Sequence, residues 1–328
     1  MSKATIKDVA KLANVSISSV SNVINGINKC SEETRLKILD AMDQLEYKPN
    51  LAAKSLVQKK SNLIGVVFKE ENDNSYEKIV KGIEKQIRAN GEYDFLTMTY
   101  QSMSLVEDWI QKRNLDGLIF IGDFSNNFLS YLQKMKEHIV CIDNYNEQIS
   151  GIVYINSEDT LGGYLATEAL LKAGVTEPFI LSVKLENSEL ANRRYLGYLS
   201  CLEDYGIEYK ENMLIEVPKE DFLEGKLVGA TLQSRGINGL VRTEDILALG
   251  VLKTLYNFEI SCPKEIKIIG FDNIKGSEYT NPSLTTVETG SERKGEKAGE
   301  LLLKLVDKIE IKKFEYNIDA KLIKRETL

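Results

Sequence analysis

The sequence predicts an all-α, helix-turn-helix N-terminal domain followed by an α/β body of two lobes, each built on a doubly wound parallel sheet. Three observations carry this expectation. Residues 1–49 place apolar side chains at helical spacing around one tight break. Beyond residue 62, short β-rich runs alternate with helical stretches, as in parallel sheets wound by helices. Charge also changes sign along the chain. Residues 1–60 hold ten Lys and Arg against six Asp and Glu, whereas the remainder holds 32 against 43. A basic head on an acidic body suits a head that meets phosphate and a body that does not.

Composition sets the outer bounds. With 328 residues, 43% of them hydrophobic, the chain can bury a large core divided among two or three domains. The apolar runs Leu63 to Phe68 and Leu118 to Ile121 fall far below the roughly 20 residues that span a bilayer. Met1 to Thr5 is no secretory signal, so a cytoplasmic location without membrane contact is expected. Cys30, Cys141, Cys201 and Cys262 stand apart without a C-x-x-C pair, so neither a disulfide framework nor a metal site is expected, and no cofactor.

The head reads as three helices. Thr5 and Asp8 stand at capping-box spacing, and Ile6, Val9, Ala10, Leu12 and Ala13 form one apolar stripe. Asn14-Val15 breaks the helix, and Ser16 can cap a second whose Val20, Val23 and Ile24 face inward. Its opposite face carries Ile17, Ser18, Ser21, Asn22 and Asn25. These short, uncharged side chains suit base edges in a major groove; a solvated face would carry Lys and Glu. Ser31 caps a third helix, with Glu32 and Glu33 at its positive end. Leu36, Leu39, Met42 and Leu45 are expected to close the core. Past Pro49, Asn50 can cap Leu51 to Leu56, a piece far shorter than the ~12–15 residues an isolated helix needs. It should fold only when packed.

In the body, the strand-like runs Leu63 to Phe68, Phe95 to Thr99, Asp116 to Ile121 and Ile139 to Ile142 alternate with helical stretches around Tyr76 to Ala89, Leu105 to Arg113 and Phe128 to Lys136. A second series starts near Gly162-Gly163 and runs through Phe179 to Val183, Arg194 to Tyr205, Met213 to Val217, Phe222 to Ser234, Gly239 to Val241, Ile246 to Phe258 and Ile266 to Phe271. Ligands of such sheets bind beyond the carboxyl ends of the strands, which here means a cleft between lobes. An α/β enzyme is the rival class, and the motifs oppose it. No G-x-G-x-x-G follows a strand, Gly290 to Lys297 lacks the ending of a phosphate-binding loop, and His138 has no nucleophile context.

The stretch Thr5 to Ser16, with Ser19-Val-Ser, Asn25-Gly, Ser31-Glu-Glu-Thr-Arg and Tyr47-Lys-Pro-Asn50, resembles the DNA-binding head of the LacI/GalR (lactose-repressor) family of bacterial transcription regulators. Arg194-Tyr-Leu-Gly-Tyr198, Leu247 to Gly250, Ile269-Gly-Phe-Asp272, Pro282 to Val287 and Leu322 to Arg325 resemble its effector domain, which is similar to periplasmic sugar-binding proteins. The resemblance implies a repressor that binds double-stranded operator DNA as a homodimer on a near-palindrome. It places Ile17, Ser18 and Asn22 against bases, and Ser16, Ser19, Ser21 and Asn25 where they hold phosphates or brace the helix. Thr5, Lys29, Ala53 and Lys54 complete the expected contacts, and Leu56 wedges into the minor groove from a hinge helix. Most members have Arg at the position of Asn22, and Asn favours adenine where Arg favours guanine.

The same resemblance implies a small-molecule effector, a carbohydrate or related metabolite, held by Arg194 and Asp272 with Phe222 over the sugar ring. Asn74, Tyr76 and Asp143 are the candidates from the other lobe. Glu244-Asp245 stands where the family usually writes Asn-Asp, and Ser75 replaces a common proline. A carboxylate such as Glu244 in the cleft repels an acidic ligand and welcomes an amino group. Some members instead take a phosphocarrier protein as corepressor, which would keep the fold and change the partner. The expected domains are 1–49, a hinge at 50–61, and 62–328. Lobe one would comprise about 62–158 and 291–316, lobe two about 159–290 and 317–328.

Overall fold

The computed structural model describes residues 4–24, 30–47, 60–69, 75–100, 102–135 and 138–328. The chain divides into two units, one ending at Ser61 and the other beginning at Asn62.

The first unit contains α1 (Ile6–Leu12), α2 (Ile17–Ile24) and α3 (Glu32–Gln44). Its caps are local. The Asp8 carboxylate accepts the Thr5 N–H at 2.9 Å and the Thr5 hydroxyl at 2.7 Å, and the Ser16 hydroxyl accepts the Ser19 N–H at 3.1 Å. Val9, Ala10, Val20, Ile38 and Ala41 form the core, with Val23, Ile24, Met42 and Leu45 packed against it. Leu36 and Leu39 are not part of that core: they are 60% and 43% exposed. The expected series 36, 39, 42, 45 steps by three, short of a 3.6-residue turn, so three steps carry Leu36 to the side opposite Leu45. Ile38, Ala41, Met42 and Leu45 keep to one face and take the core instead.

The second unit has two lobes. Lobe one holds β1 (Leu63–Lys69), α4 (Ser75–Asn90), β2 (Asp94–Tyr100), α5 (Met103–Lys112), β3 (Gly117–Ile121), α6 (Asn126–Met135), β4 (Ile139–Ile142) and β5 (Val153–Ser157). Lobe two continues with α7 (Asp159–Lys172), β6 (Phe179–Val183), α8 (Glu189–Asp204), β7 (Leu214–Val217), α9 (Phe222–Gly229), β8 (Gly239–Arg242), α10 (Asp245–Asn257), β9 (Lys267–Phe271) and β10 (Thr285–Glu288). The chain then returns to lobe one for α11 (Ser291–Val306) and β11 (Glu315–Ile318), and ends in lobe two with β12 (Lys321–Ile323).

Among the described residues the sheets run β11-β5-β4-β3-β1-β2 and β12-β10-β9-β8-β6-β7. Every pairing is parallel except the edge, where β12 runs antiparallel to β10. β3 and β4 are buried at every position, as strands covered on both faces must be. The sequence pattern predicts no strand between residues 143 and 161, yet β5 lies there; its polar Asn156 and Ser157 hide the apolar run. β11 pairs Asn317 with Asn156 and Ile318 with Ser157, so the last crossing falls at Asp319–Ala320 and not after residue 316. Among the described residues no helix is long and apolar enough to cross a membrane.

Two helix contacts position the charged groups between the lobes. α7 meets α8 so closely that a Cβ on Gly163 would lie 1.9 Å from the Arg194 carbonyl oxygen, and one on Gly197 would lie 1.9 Å from that of Thr160. α4 meets α11 in the same way, with Gly295 against the Ile79 carbonyl at 2.0 Å. Any larger residue would push these helices apart. The first contact sets Arg194 beside Asp159; the second seats Lys294.

Candidate functional site

Strand ends of both lobes face a cavity of about 570 Å³, within the size range of small-molecule sites. Asp143 follows β4 and Asp272 follows β9, one from each lobe. Both hold the left-handed backbone, at φ 54° and 86°, a conformation Asp tolerates better than most side chains.

Arg194 organises the wall from lobe two. It is 1% exposed, and each of its three nitrogens donates to a protein acceptor. Nε reaches Asp159 Oδ1 at 2.9 Å, Nη2 reaches Asp272 Oδ1 at 2.9 Å, and Nη1 serves Glu244 Oε1 at 3.2 Å and the Thr243 carbonyl. The guanidinium also lies over the Phe271 ring, 4.5 Å from its centre. Burial works against its charge, but Asp272, Asp159 and Glu244 overrule burial and hold its pKa above the ordinary value. Burial likewise opposes the Asp272 carboxylate, and Arg194 brings its pKa below the usual range. In the same wall Asp245 accepts the Ile274 N–H at 3.0 Å and the hydroxyls of Ser277 and Thr286 at 2.6 and 2.7 Å. Burial without a cation pushes its pKa up to about 7.

Lobe one supplies a second pair. Lys294 Nζ donates to Asp143 Oδ2 at 2.5 Å and to the Ser157 hydroxyl at 2.7 Å. Asp143 Oδ1 is buried without a hydrogen-bond partner. Burial raises the Asp143 pKa, Lys294 opposes the rise, and Asp159 adds to it. Tyr145 donates to Asp159 across the lobes, with the Arg193 guanidinium 4.4 Å from its ring centre. Lys78 bridges the lobes too, donating to the Asn273 carbonyl and standing 3.6 Å from Glu288.

Of the residues singled out from sequence, Tyr76, Asp143, Arg194, Glu244 and Asp272 line this one cavity. Phe222 does not. It opens α9 directly after the cap Asp221, whose carboxylate takes the Glu224 N–H at 2.8 Å, and that turn leaves the ring 40% exposed while Asp221 itself lines the cavity. The Arg194 fork meets carboxylates, where free hydroxyls of a ligand were expected. Asn74 lies outside the described residues. Sequence reasoning missed Asp123, Tyr145 and Lys294. Asp123 could have been found as a carboxylate just past a buried strand; Lys294 had no local signal, since it sits on a helix that returns from the other lobe.

On the head, Ser16, Ile17 and Ser18 are exposed, Ile17 by 46%, and Ser21 and Asn22 are half-buried. The Ser16 hydroxyl lies 2.7 Å from that of Ser18 and 2.9 Å from that of Ser19, which braces the start of α2. Thr5 caps α1. Asn25, Lys29, Ala53, Lys54 and Leu56 lie outside the described residues, as does the expected hinge helix.

A family model described as "Bacterial regulatory proteins, lacI family" matches residues 5–50, and one described as "Periplasmic binding protein-like domain" matches residues 167–328. Residues 5–50 therefore belong to the lacI family of bacterial regulatory proteins, and residues 167–328 form a periplasmic binding protein-like domain. The chain is 29% identical to the HTH-type transcriptional repressor PurR of Vibrio atlanticus over 99% of this chain and 98% of the relative. With the HTH-type transcriptional regulator RegA of Clostridium saccharobutylicum it shares 26% identity over 98% of each. The fold matches that of the Lac repressor dimer bound to operator and the anti-inducer ONPF, with a TM-score of 0.85, 23% identity and 99% coverage of both chains. It also matches a CelR–cellobiose complex at TM-score 0.74, 21% identity and 99% coverage of both. The two domain matches and the full-length relatives, which are transcription regulators and not enzymes, make the chain a DNA-binding transcription regulator under effector control.

Proposed function

We propose that the chain represses transcription in the cytoplasm, binding a near-palindromic operator as a homodimer and responding to a small molecule seated between its lobes. The observation that carries this reading is the cavity itself. Its charged walls come from both lobes, so an occupant that bridges Asp143 on one and Asp272 on the other favours one lobe arrangement over another. The exposed start of α2, with Ile17 and Ser18, supplies side chains short enough to meet base edges. One recognition helix reads few base pairs, so two copies are needed. Leu223 and Leu227, one turn apart on α9, and Tyr256 are exposed apolar groups that support self-association. The CelR structure holding cellobiose supports a carbohydrate-like effector.

Footprinting of the full-length protein on fragments of its own genome tests this reading. A two-fold symmetric protected site is expected, occupied by two copies in sedimentation. Ser18→Ala or Asn22→Ala should weaken that site by about 1–3 kcal/mol while leaving non-specific affinity almost unchanged. Protection that competitor DNA of random sequence removes completely would refute it.

A further inference from the structure

We infer that the occupant of the cleft carries a positive charge: a small polyhydroxylated molecule with a protonated amine, an amino sugar by class. This rests on reading the cleft as the effector site. Eight carboxylate side chains line the cavity against three cationic ones. Two of those cations are committed to protein acceptors. Arg194 is spent on Asp159, Glu244 and Asp272, and Lys294 on Asp143 and Ser157. The third, Lys219, is exposed. A phosphate or carboxylate therefore meets an excess of like charge and no uncommitted buried cation.

A separate observation points to a donor. Asp143 Oδ1 is buried in this wall and has no hydrogen-bond partner. A buried acceptor left unsatisfied costs free energy that a bound donor recovers, most of all a charged donor. Among the described residues no group of three or more His, Cys, Asp or Glu is arranged to hold a metal ion. The cavity suits a whole organic molecule, and Tyr76 and Tyr100 add aromatic surface that favours both a sugar ring and an ammonium group.

The experiment titrates the full-length protein calorimetrically with matched hexose series: glucose, glucosamine and glucose 6-phosphate, then the galactose and mannose equivalents. In the series that bind, the amino form should bind at least about tenfold tighter than its neutral parent, with the advantage shrinking as salt rises. The phosphate should bind weakest. Asp143→Asn should collapse the ratio of amino to neutral affinity, a ratio that uses each variant as its own control. Glu244→Gln, of equal size, repeats the test if Asp143→Asn folds poorly. A neutral or phosphorylated sugar binding as tightly as the amino form overturns the charge assignment and leaves the effector cleft standing, as does a ratio unchanged in both variants. Failure of every sugar to bind overturns both.

Discussion

Arg194 and Arg242 are both buried in lobe two, at 1% and 0% exposure, yet their surroundings oppose each other. Arg194 lies among Asp159, Glu244 and Asp272. Arg242, the last residue of β8, donates from Nη2 to the Leu247 carbonyl at 2.5 Å, while its Nε and Nη1 have no partner. Burial drives its pKa well below the ordinary value. The strand explains the contrast. Side chains alternate along β8, so Arg242 shares a face with Leu240, a member of the lobe-two core. The next carbonyl, that of Thr243, accepts from Arg194 at the cleft side. A buried charge is cheap or costly according to what remote segments bring to it, and the residue type alone does not say which.

The comparison can be broken most directly at Arg194. Arg194→Met would leave three buried carboxylates uncompensated, and a loss of about 3–5 kcal/mol is expected. The urea midpoint of the body reads it. A loss under about 1 kcal/mol would mean that the carboxylates do not depend on this guanidinium.

Asp245 sharpens the contrast, being a buried charge held by three neutral donors without a cation. Its folded pKa of about 7 stands above the unfolded 3.8. The folded chain therefore keeps a proton that the unfolded chain releases. The stability this contributes is complete below the unfolded pKa and is lost as pH rises toward the folded one, at up to about 1.4 kcal/mol per unit. Asp245→Asn should remove that slope. Denaturation curves of parent and variant at several pH values should converge in stability at the acid end and separate toward neutral pH. Parallel pH profiles would contradict the raised pKa.

The smallest effect has the opposite sign. Arg242→Met removes an unpaired buried charge and keeps most of its volume, so the body should gain about 1–3 kcal/mol. A lower urea midpoint would show that Arg242 has a partner in solution.

The sequence by itself determined whatever depends on neighbours a few positions apart. The Thr5–Asp8 box, the Ser16 and Ser31 caps, the buried runs of β3 and β4, and the alternation that makes two doubly wound lobes are all short-range patterns. Asp143 and Asp272 were reached through the family resemblance, and both line the cavity. Tertiary structure decided the partnerships. Lys294 meets Asp143 across 151 positions, and Arg194 meets Asp272 across 78 and Asp159 across 35. These meetings depend on how the chain crosses between lobes and on glycines that let helices touch, and the residues at either end carry no mark of that. The same distinction separates Leu36 and Leu39, apolar yet exposed, from Arg242, charged yet buried. Pattern sets which faces are apolar, but only packing sets which of them are covered, because coverage requires a surface from elsewhere in the chain.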